Sequence, residues 1–157
     1  MNCIVIDDEP LAREAIQDLI EGQKNLTFIG SFNNAIKAEK FMTENEVDLI
    51  FLDIEMPRIN GLEFAKKISK NTMVIFTTAY KEYALESYNL DAIDYLLKPV
   101  LPARFEKAIE KAFAFYKLLK SENGIVEKLT QNFIFIKAER KYYKILFEKI
   151  LYIEALK

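Results

Sequence analysis

The chain contains no histidine, and this absence removes several classes of function. A Ser/His/Asp triad, a histidine-ligated zinc site and imidazole acid–base catalysis all need that side chain. Chemistry in this chain must therefore depend on other side chains.

Cysteine, basic excess and long apolar stretches are also lacking. The single cysteine, Cys3, cannot form an internal disulfide, which fits a reducing cytosol, so we expect a cytoplasmic protein and interpret Cys3 as a small core residue. The net charge of −2 does not favour nucleic-acid binding by the chain as a whole. No stretch is long enough to span a bilayer, and no basic N-terminal region precedes an apolar one, so we expect neither a membrane partner nor a signal peptide.

Apolar runs alternate with helix-period segments over residues 1–120. The runs predicted as strands are 2–6, 26–32, 48–52, 72–78 and 93–96. The predicted helices follow them, near 10–20, 35–42, 62–68, 81–88 and 105–119. This alternation is typical of a parallel sheet covered on both faces, so we predict an α/β fold with a doubly wound five-stranded sheet.

The pattern changes after residue 120. Residues 121–130 are predicted to form a linker, and 133–136, 142–147 and 150–153 are short β-type runs, the first two separated by a polar turn. We therefore expect residues 131–157 to be a fragment of a β-rich second domain, too short to bury a core of its own.

Acidic side chains follow two of the predicted strands. Asp7 and Asp8 end the first strand and Asp53 ends the third. The carboxyl ends of parallel strands share one edge of the sheet, where such sheets bind ligands, so we expect the three carboxylates to converge. Like charges that close need a counter-ion, and Mg²⁺ suits an open site of carboxylate oxygens.

The fourth and fifth strands end in a hydroxyl and a cation. Thr77 and Thr78 end the fourth strand, and Lys98 with Pro99 follows the fifth. Pro99 could carry a cis peptide bond. Taken singly, each feature has an ordinary explanation, and the acid pair could simply cap the first helix. Together, an acid, a metal, a hydroxyl and a lysine are the parts that phosphoryl transfer needs.

These residues lie in motifs that strongly resemble the receiver domains of two-component response regulators. The matching segments are Ile4-Val5-Ile6-Asp7-Asp8-Glu9, Leu49-Ile50-Phe51-Leu52-Asp53-Ile54-Glu55-Met56-Pro57, Asn60-Gly61, Val74-Ile75-Phe76-Thr77-Thr78-Ala79 and Asp94-Tyr95-Leu96-Leu97-Lys98-Pro99. The resemblance covers residues 1–120 and implies a flavodoxin-like fold with strand order 2-1-3-4-5.

The resemblance also implies a role for each acid. Asp53 would accept a phosphoryl group from the phospho-histidine of a sensor histidine kinase. Mg²⁺ would be bound by Asp7 or Asp8, by Asp53 and by the backbone carbonyl of Glu55, with Asp8 as the more direct ligand of the pair. The protein would not be an enzyme in the ordinary sense, because it would catalyse only its own phosphorylation and dephosphorylation.

Three further roles follow from the same resemblance. Thr78 would bond the phosphoryl oxygens, with Thr77 as the rival hydroxyl. Lys98 would pair with the phosphate, and Tyr95 would turn inward on activation.

The responding surface would be built from the helix after Thr78, the fifth strand and the last helix. We expect it to form a homodimer on phosphorylation. Its residues are Tyr83, Tyr88, Asp91, Arg104 and Lys107.

The tail carries a second resemblance. Residues Phe133-Ile134-Phe135-Ile136-Lys137 through Ile150-Leu151-Tyr152-Ile153-Glu154-Ala155 look like the opening of a LytTR-type DNA-binding domain, as in LytR/AlgR regulators. The intact protein would then be a transcription factor that binds DNA through its complete C-terminal domain and not through this fragment.

Two other interpretations stay open. A phosphohydrolase of the haloacid-dehalogenase type also uses Asp, Mg²⁺, Thr and Lys, but it needs an Asp-x-Asp motif after its first strand, where this chain has Asp7-Asp8-Glu9. A pseudo-receiver that works without phosphorylation would not need the full set of acid, threonine and lysine.

Overall fold

A computed structural model describes residues 1–69, 71–80, 92–120, 133–138 and 141–146. The strands are β1 (Asn2–Ile6), β2 (Thr27–Phe32), β3 (Leu49–Asp53), β4 (Met73–Thr78), β5 (Asp94–Leu97), β6 (Phe133–Ala138) and β7 (Lys141–Leu146). The helices are α1 (Pro10–Glu21), α2 (Ala35–Glu44), α3 (Gly61–Ala65) and α4 (Pro102–Lys120).

Strands β1 to β5 form one parallel sheet in the order β2-β1-β3-β4-β5. The prediction of a doubly wound five-stranded sheet in this order is confirmed, and each predicted strand lies within a residue or two of its observed bounds. The order places β1, β3 and β4 side by side at the centre, so the ends that carry Asp7, Asp53 and Thr78 are neighbours.

The continuous apolar strands are buried because helices cover both faces of the sheet. All residues of β3 and β4 are buried, and the side chains of alternate residues enter two separate clusters, one on each face. Cys3 belongs to one of these clusters, as predicted, and burial raises the pKa of its thiol to about 12. The thiol therefore stays protonated and acts as a small apolar group.

Local sequence accounts for the helix starts. Pro10 occupies the first turn of α1, where its missing N–H costs nothing, and the side chain of Asn34 caps α2 by accepting from the N–H of Lys37. The predicted third helix over 62–68 is too long, because α3 ends at Ala65 and the chain continues through hydrogen-bonded turns. Ile68, the last residue of the predicted helix, still packs against the core.

The predicted fourth helix near 81–88, the linker 121–130 and the β-type run 150–153 lie outside the described residues. The other two predicted β-type runs of the tail form β6 and β7, which pair antiparallel from Phe133↔Leu146 to Ala138↔Lys141. Within the described part of the chain, no helix has the length and apolar character needed to cross a membrane.

Candidate functional site

Three carboxylates meet at the carboxyl edge of the sheet. Asp53 is the last residue of β3, and Asp7 and Asp8 follow β1, its neighbour in the sheet. Each of the three offers an oxygen, and these oxygens all lie within 4.8 Å of one another. Asp7 is 1% exposed and Asp53 is 4% exposed, so two of the three acids are removed from water. The expected convergence of these side chains is confirmed.

One lysine serves several of these acids. The Nζ of Lys98 lies 2.7 Å from Oδ2 of Asp7, 3.5 Å from Oδ2 of Asp53 and 3.7 Å from Oε2 of Glu9. The Lys98–Pro99 peptide bond is cis. Burial alone would lower the pKa of Lys98, but Asp7, Asp53 and Glu9 raise it above its ordinary value. The ammonium is therefore a permanent positive charge at neutral pH.

The shared lysine does not fully compensate Asp53. Burial, with the nearby charge of Asp7, raises the pKa of Asp53 from 3.8 to about 6, against the opposing effects of Lys98 and a backbone hydrogen bond from Glu55. A carboxylate held in this way is short of positive charge and hydrogen-bond donors.

A metal ion fits this shortage. Oδ2 of Asp7 is buried and lies 2.7 Å from the ammonium of Lys98, so this oxygen already has one cation beside it. The same ammonium also faces Asp53 and Glu9, and Asp8 adds a fourth carboxylate, so the site carries more negative than positive charge. Asp7, Asp8 and Asp53 could therefore hold a hard cation through carboxylate oxygens.

Asp7 and Asp8 do not act as the N-cap of α1. The N-cap of α1 is Glu9, whose side chain makes no capping bond. The Oδ1 of Asp7 instead accepts from the N–H of Glu9 at 2.9 Å, which fixes the turn between β1 and α1.

The two threonines of β4 lie at the same edge, and both are buried. Thr77 is the register partner of Asp53. The hydroxyl of Thr78 accepts from the N–H of Tyr80 at 3.2 Å, and the carbonyl of Thr78 accepts from the N–H of Lys98 at 2.7 Å. Thr78 therefore links the loop after β4 to Lys98, through its hydroxyl on one side and its carbonyl on the other.

Tyr95 lies in β5 opposite Phe76 of β4. Its ring packs against the same core cluster as Phe76, and its hydroxyl donates to the backbone carbonyl of Tyr80. Tyr95 thus bridges the strand that precedes Lys98 and the loop that follows Thr78.

Gly61 packs closely against the backbone at the end of β3. A Cβ at this position would lie 2.0 Å from the carbonyl oxygen of Asp53, so only glycine permits the approach. The N–H of Gly61 donates to the carbonyl of Ile54 at 2.8 Å, and the Asn60 side chain caps α3 by accepting from Leu62. In the sequence, Asn60-Gly61 was one of the segments that match the receiver motif, but nothing in it indicated this contact with Asp53.

Arg13 is a second residue that the sequence did not single out. Its guanidinium donates to the carbonyl of Asp7 at 2.7 Å and to that of Asp8 at 3.1 Å. The signal was present, because long side chains in a helix lean toward its N-terminus, and Arg13 follows the acid pair by one helical turn.

The predicted responding surface is described only in part. Tyr83, Tyr88 and Asp91 lie outside the described residues, and Lys107 is exposed. Arg104 makes a two-bond contact with the Asp94 carboxylate of its own chain, at 2.8 and 2.7 Å.

Comparisons with known proteins agree with this geometry. Residues 3–110 match the family described as the response regulator receiver domain. A response regulatory protein of Vibrio vulnificus is 42% identical over 113 residues, which are 71% of this chain and 47% of that protein. The transcriptional regulatory protein BtsR of Escherichia coli is 37% identical over 110 residues, or 69% and 46% of the two chains.

The chain spans about half the length of the curated relatives that it matches. Among solved structures, the response regulatory domain of protein mrkE from Klebsiella pneumoniae is similar, with a TM-score of 0.69 and 33% identity over 74% of this chain and 98% of that one. The chain belongs to the response regulator receiver domain family and carries the receiver domain of a two-component response regulator.

Proposed function

We propose that Asp53 accepts a phosphoryl group from the phospho-histidine of a sensor histidine kinase. The observation that carries this proposal is the position of its carboxylate, which is buried at the end of β3 beside two other acids with Lys98 3.5 Å away. Because these 157 residues contain no histidine, the donor histidine would lie outside them.

In the proposed transfer, an oxygen of Asp53 attacks phosphorus as the bond from phosphorus to the donor nitrogen breaks. The histidine leaves as a neutral imidazole after taking up a proton, and an acyl phosphate remains on Asp53. Lys98 supplies fixed positive charge beside the incoming oxygens, and Thr78 supplies a hydroxyl donor at the same edge.

The proposed cofactor is Mg²⁺, held by Asp8, Asp7, Asp53 and the backbone carbonyl of Glu55. When bound, it neutralises negative charge on the transferring group. The oxygen-only character of these ligands and the raised pKa of Asp53, which Lys98 does not fully compensate, support this assignment.

The proposed switch joins Asp53 to the strand of Tyr95. Phosphoryl oxygens would draw the hydroxyl of Thr78 away from the N–H of Tyr80, and Tyr95 would exchange its bond to the Tyr80 carbonyl for the space behind Thr78. We further propose that this favours a homodimer through the surface of the fifth strand and the helices beside it. Light scattering with and without beryllium fluoride tests the dimer, and an unchanged mass would contradict it.

The proposed output is transcription regulation in the cytoplasm. Residues 1–120 would be the receiver, 121–130 a linker and 131–157 the opening of a LytTR-type DNA-binding domain, which would bind DNA only when complete. The antiparallel pair β6–β7 and the name of the relative BtsR, a transcriptional regulatory protein, support this assignment.

The direct test is labelling with a small phosphodonor, read by mass spectrometry of the intact chain. We expect one phosphoryl group per chain with Mg²⁺, little labelling with EDTA, and none in Asp53→Asn. Labelling that survives the substitution would refute the proposal. Steady turnover of phosphate esters would favour a phosphohydrolase, and absence of labelling in the unsubstituted chain would favour a pseudo-receiver.

A further inference from the structure

The connection between β1 and α1 carries two of the site's acids, and its shape decides where their carboxylates point. Residues 7–9 join β1 to α1, and while the carbonyl of Glu9 accepts the first hydrogen bond of the helix, from the N–H of Arg13 at 3.2 Å, the carbonyls of Asp7 and Asp8 precede it. Backbone carbonyls in such a connection need donors from elsewhere if they are removed from water. The side chain of Arg13 provides donors to two of them, at Asp7 and Asp8.

We propose that Arg13 is a positioning residue. It holds Asp7 and Asp8 in the geometry in which they bind a divalent cation next to the phosphoryl group. This inference rests on the proposed function and assigns a residue to it. The guanidinium binds backbone oxygens and leaves the carboxylates of Asp7 and Asp8 available to a cation. Its two bonds come from one nitrogen, so a single group fixes two successive peptide units.

Helix stability does not account for this arginine. It is the fourth residue of α1, and its guanidinium reaches back past the helix N-terminus, where a positive charge opposes the helix dipole. The first turn of α1 contains no acid, and the acids near the guanidinium, Asp7, Asp8 and Glu9, all belong to the connection that precedes the helix. An arginine placed against the dipole and bonded to the acid-bearing turn is better explained by what it does for that turn.

Other contacts hold the same turn from different sides. The N–H of Asp7 donates to the carbonyl of Phe32 at 3.0 Å, and Oδ1 of Asp7 accepts from Glu9. Neither contact involves the carbonyl of Asp8. Among the side chains that the structure describes, Arg13 is therefore the one that hydrogen-bonds to the backbone of both acids.

A positioning role and a purely electrostatic role predict opposite results. Removing a positive charge beside three acids should strengthen cation binding if Arg13 acts only as a charge. Removing the support of metal ligands commonly weakens metal binding by about tenfold or more. The sign of the change in Mg²⁺ affinity therefore separates the two roles.

The test is isothermal titration of Mg²⁺ into the full chain and into Arg13→Met, Arg13→Lys and Lys24→Met. Lys24 is exposed at the opposite end of the sheet, so its variant removes one positive charge without touching the site. We expect Arg13→Met to bind Mg²⁺ about tenfold more weakly, Arg13→Lys to weaken it by less, and Lys24→Met to match the original chain. Thermal unfolding in EDTA confirms that the variants are folded at the titration temperature.

Mg²⁺ binding by Arg13→Met that is equal to or tighter than that of the original chain would overturn the inference. If Arg13→Met does not fold, Arg13→Lys decides, because lysine keeps the charge but its ammonium ends one bond short of the guanidinium nitrogen that donates both bonds, and an unchanged affinity would then overturn the inference. The proposed function fails in a different way: the original chain would bind no Mg²⁺ or would not be labelled at Asp53.

Discussion

Two acids of the sheet, the buried Asp53 and the partly buried Asp94, differ in the charged groups that surround them. Asp53 shares the ammonium of Lys98 with Asp7 and Glu9, and its pKa is raised to about 6. Asp94 has two cations to itself, Arg104 at 2.7 Å and Lys111 at 2.9 Å. Removal from water is thus not enough to make an acid a functional site. The cations and hydrogen-bond donors around the acid determine whether its charge is already compensated.

The number of cations and hydrogen-bond donors around each acid explains why the pKa of Asp94 is lowered and that of Asp53 is raised. Burial would raise the pKa of Asp94, but hydrogen bonds from Arg104, Lys111 and the N–H of Tyr95 outweigh it and lower the pKa below 3.8. Asp94 fastens β5 to α4 and is already satisfied. Asp53 has too few donors and cations, and that shortage is what a metal ion and a phosphoryl group would relieve.

The largest expected effect on stability and labelling comes from a substitution that displaces Asp53 and leaves Asp94 in place. In Gly61→Ala, the new Cβ would lie 2.0 Å from the carbonyl oxygen of Asp53, so α3 and β3 must separate. We expect a loss of about 3 kcal/mol in the free energy of unfolding. Labelling at Asp53 should slow by about a hundredfold. Urea denaturation and labelling time courses measure the two effects.

Gly22→Ala is the matched control for this substitution. Its Cβ would meet the carbonyl oxygen of Leu19 at 3.5 Å, an ordinary contact, and Gly22 has helical backbone angles. Stability should be unchanged or higher by about 0.5 kcal/mol. Labelling of Gly61→Ala at the original rate would contradict the close approach of α3 to Asp53.

The second effect removes the satisfied acid. Asp94→Asn leaves two cations without their carboxylate, and we expect about 2 kcal/mol of lost stability, reduced by the partial exposure of Arg104 and Lys111. Because the pKa of Asp94 is lower in the folded chain than in the unfolded one, its contribution is present above about pH 4 and is lost as the pH falls through the folded pKa. The difference between variant and original chain should therefore shrink in acid.

Urea denaturation at several pH values measures that difference. The control is Glu46→Gln, which removes the exposed pair of Glu46 with Lys120 and should have no measurable effect. A deficit for Asp94→Asn that stays constant from neutral to acid pH would contradict the assignment of Asp94 as a charged structural partner.

The smallest expected effect is a gain in stability, in contrast to the two losses above. In metal-free protein, Asp53→Asn should raise stability by about 1–2 kcal/mol at neutral pH. The folded pKa of about 6 lies above the ordinary 3.8, so the ionised carboxylate disfavours the folded chain above both values, and the gain should vanish in strong acid. Thermal unfolding in EDTA measures it, and a less stable variant would show that Asp53 is already compensated.

The sequence was sufficient for the sheet and for the meeting of its strand ends. Continuous apolar runs and the parallel arrangement require Asp7, Asp53 and Thr78 to reach one edge, and they do. The end of α3 was placed too late, because an apolar residue after a helix packs on the core as well as one inside it.

Contacts that depend on three-dimensional distance could not be read in the same way. Asp94 and Arg104 are ten residues apart, on either side of the cis Lys98–Pro99 bond, and no periodicity links them. The clash at Gly61 depends on how closely α3 approaches β3, which a turn motif does not specify. The two acids differ in the number of cations and hydrogen-bond donors around them, and this difference appears only in the folded chain.

The most direct measurement labels Asp53→Asn and Asp94→Asn side by side with a small phosphodonor and Mg²⁺, at a temperature where both are folded. We predict no phosphoryl group on Asp53→Asn and one on Asp94→Asn, at a rate close to that of the original chain. Labelling of Asp53→Asn, or its loss in a folded Asp94→Asn, would contradict the assignment of chemistry to Asp53 and of structure to Asp94.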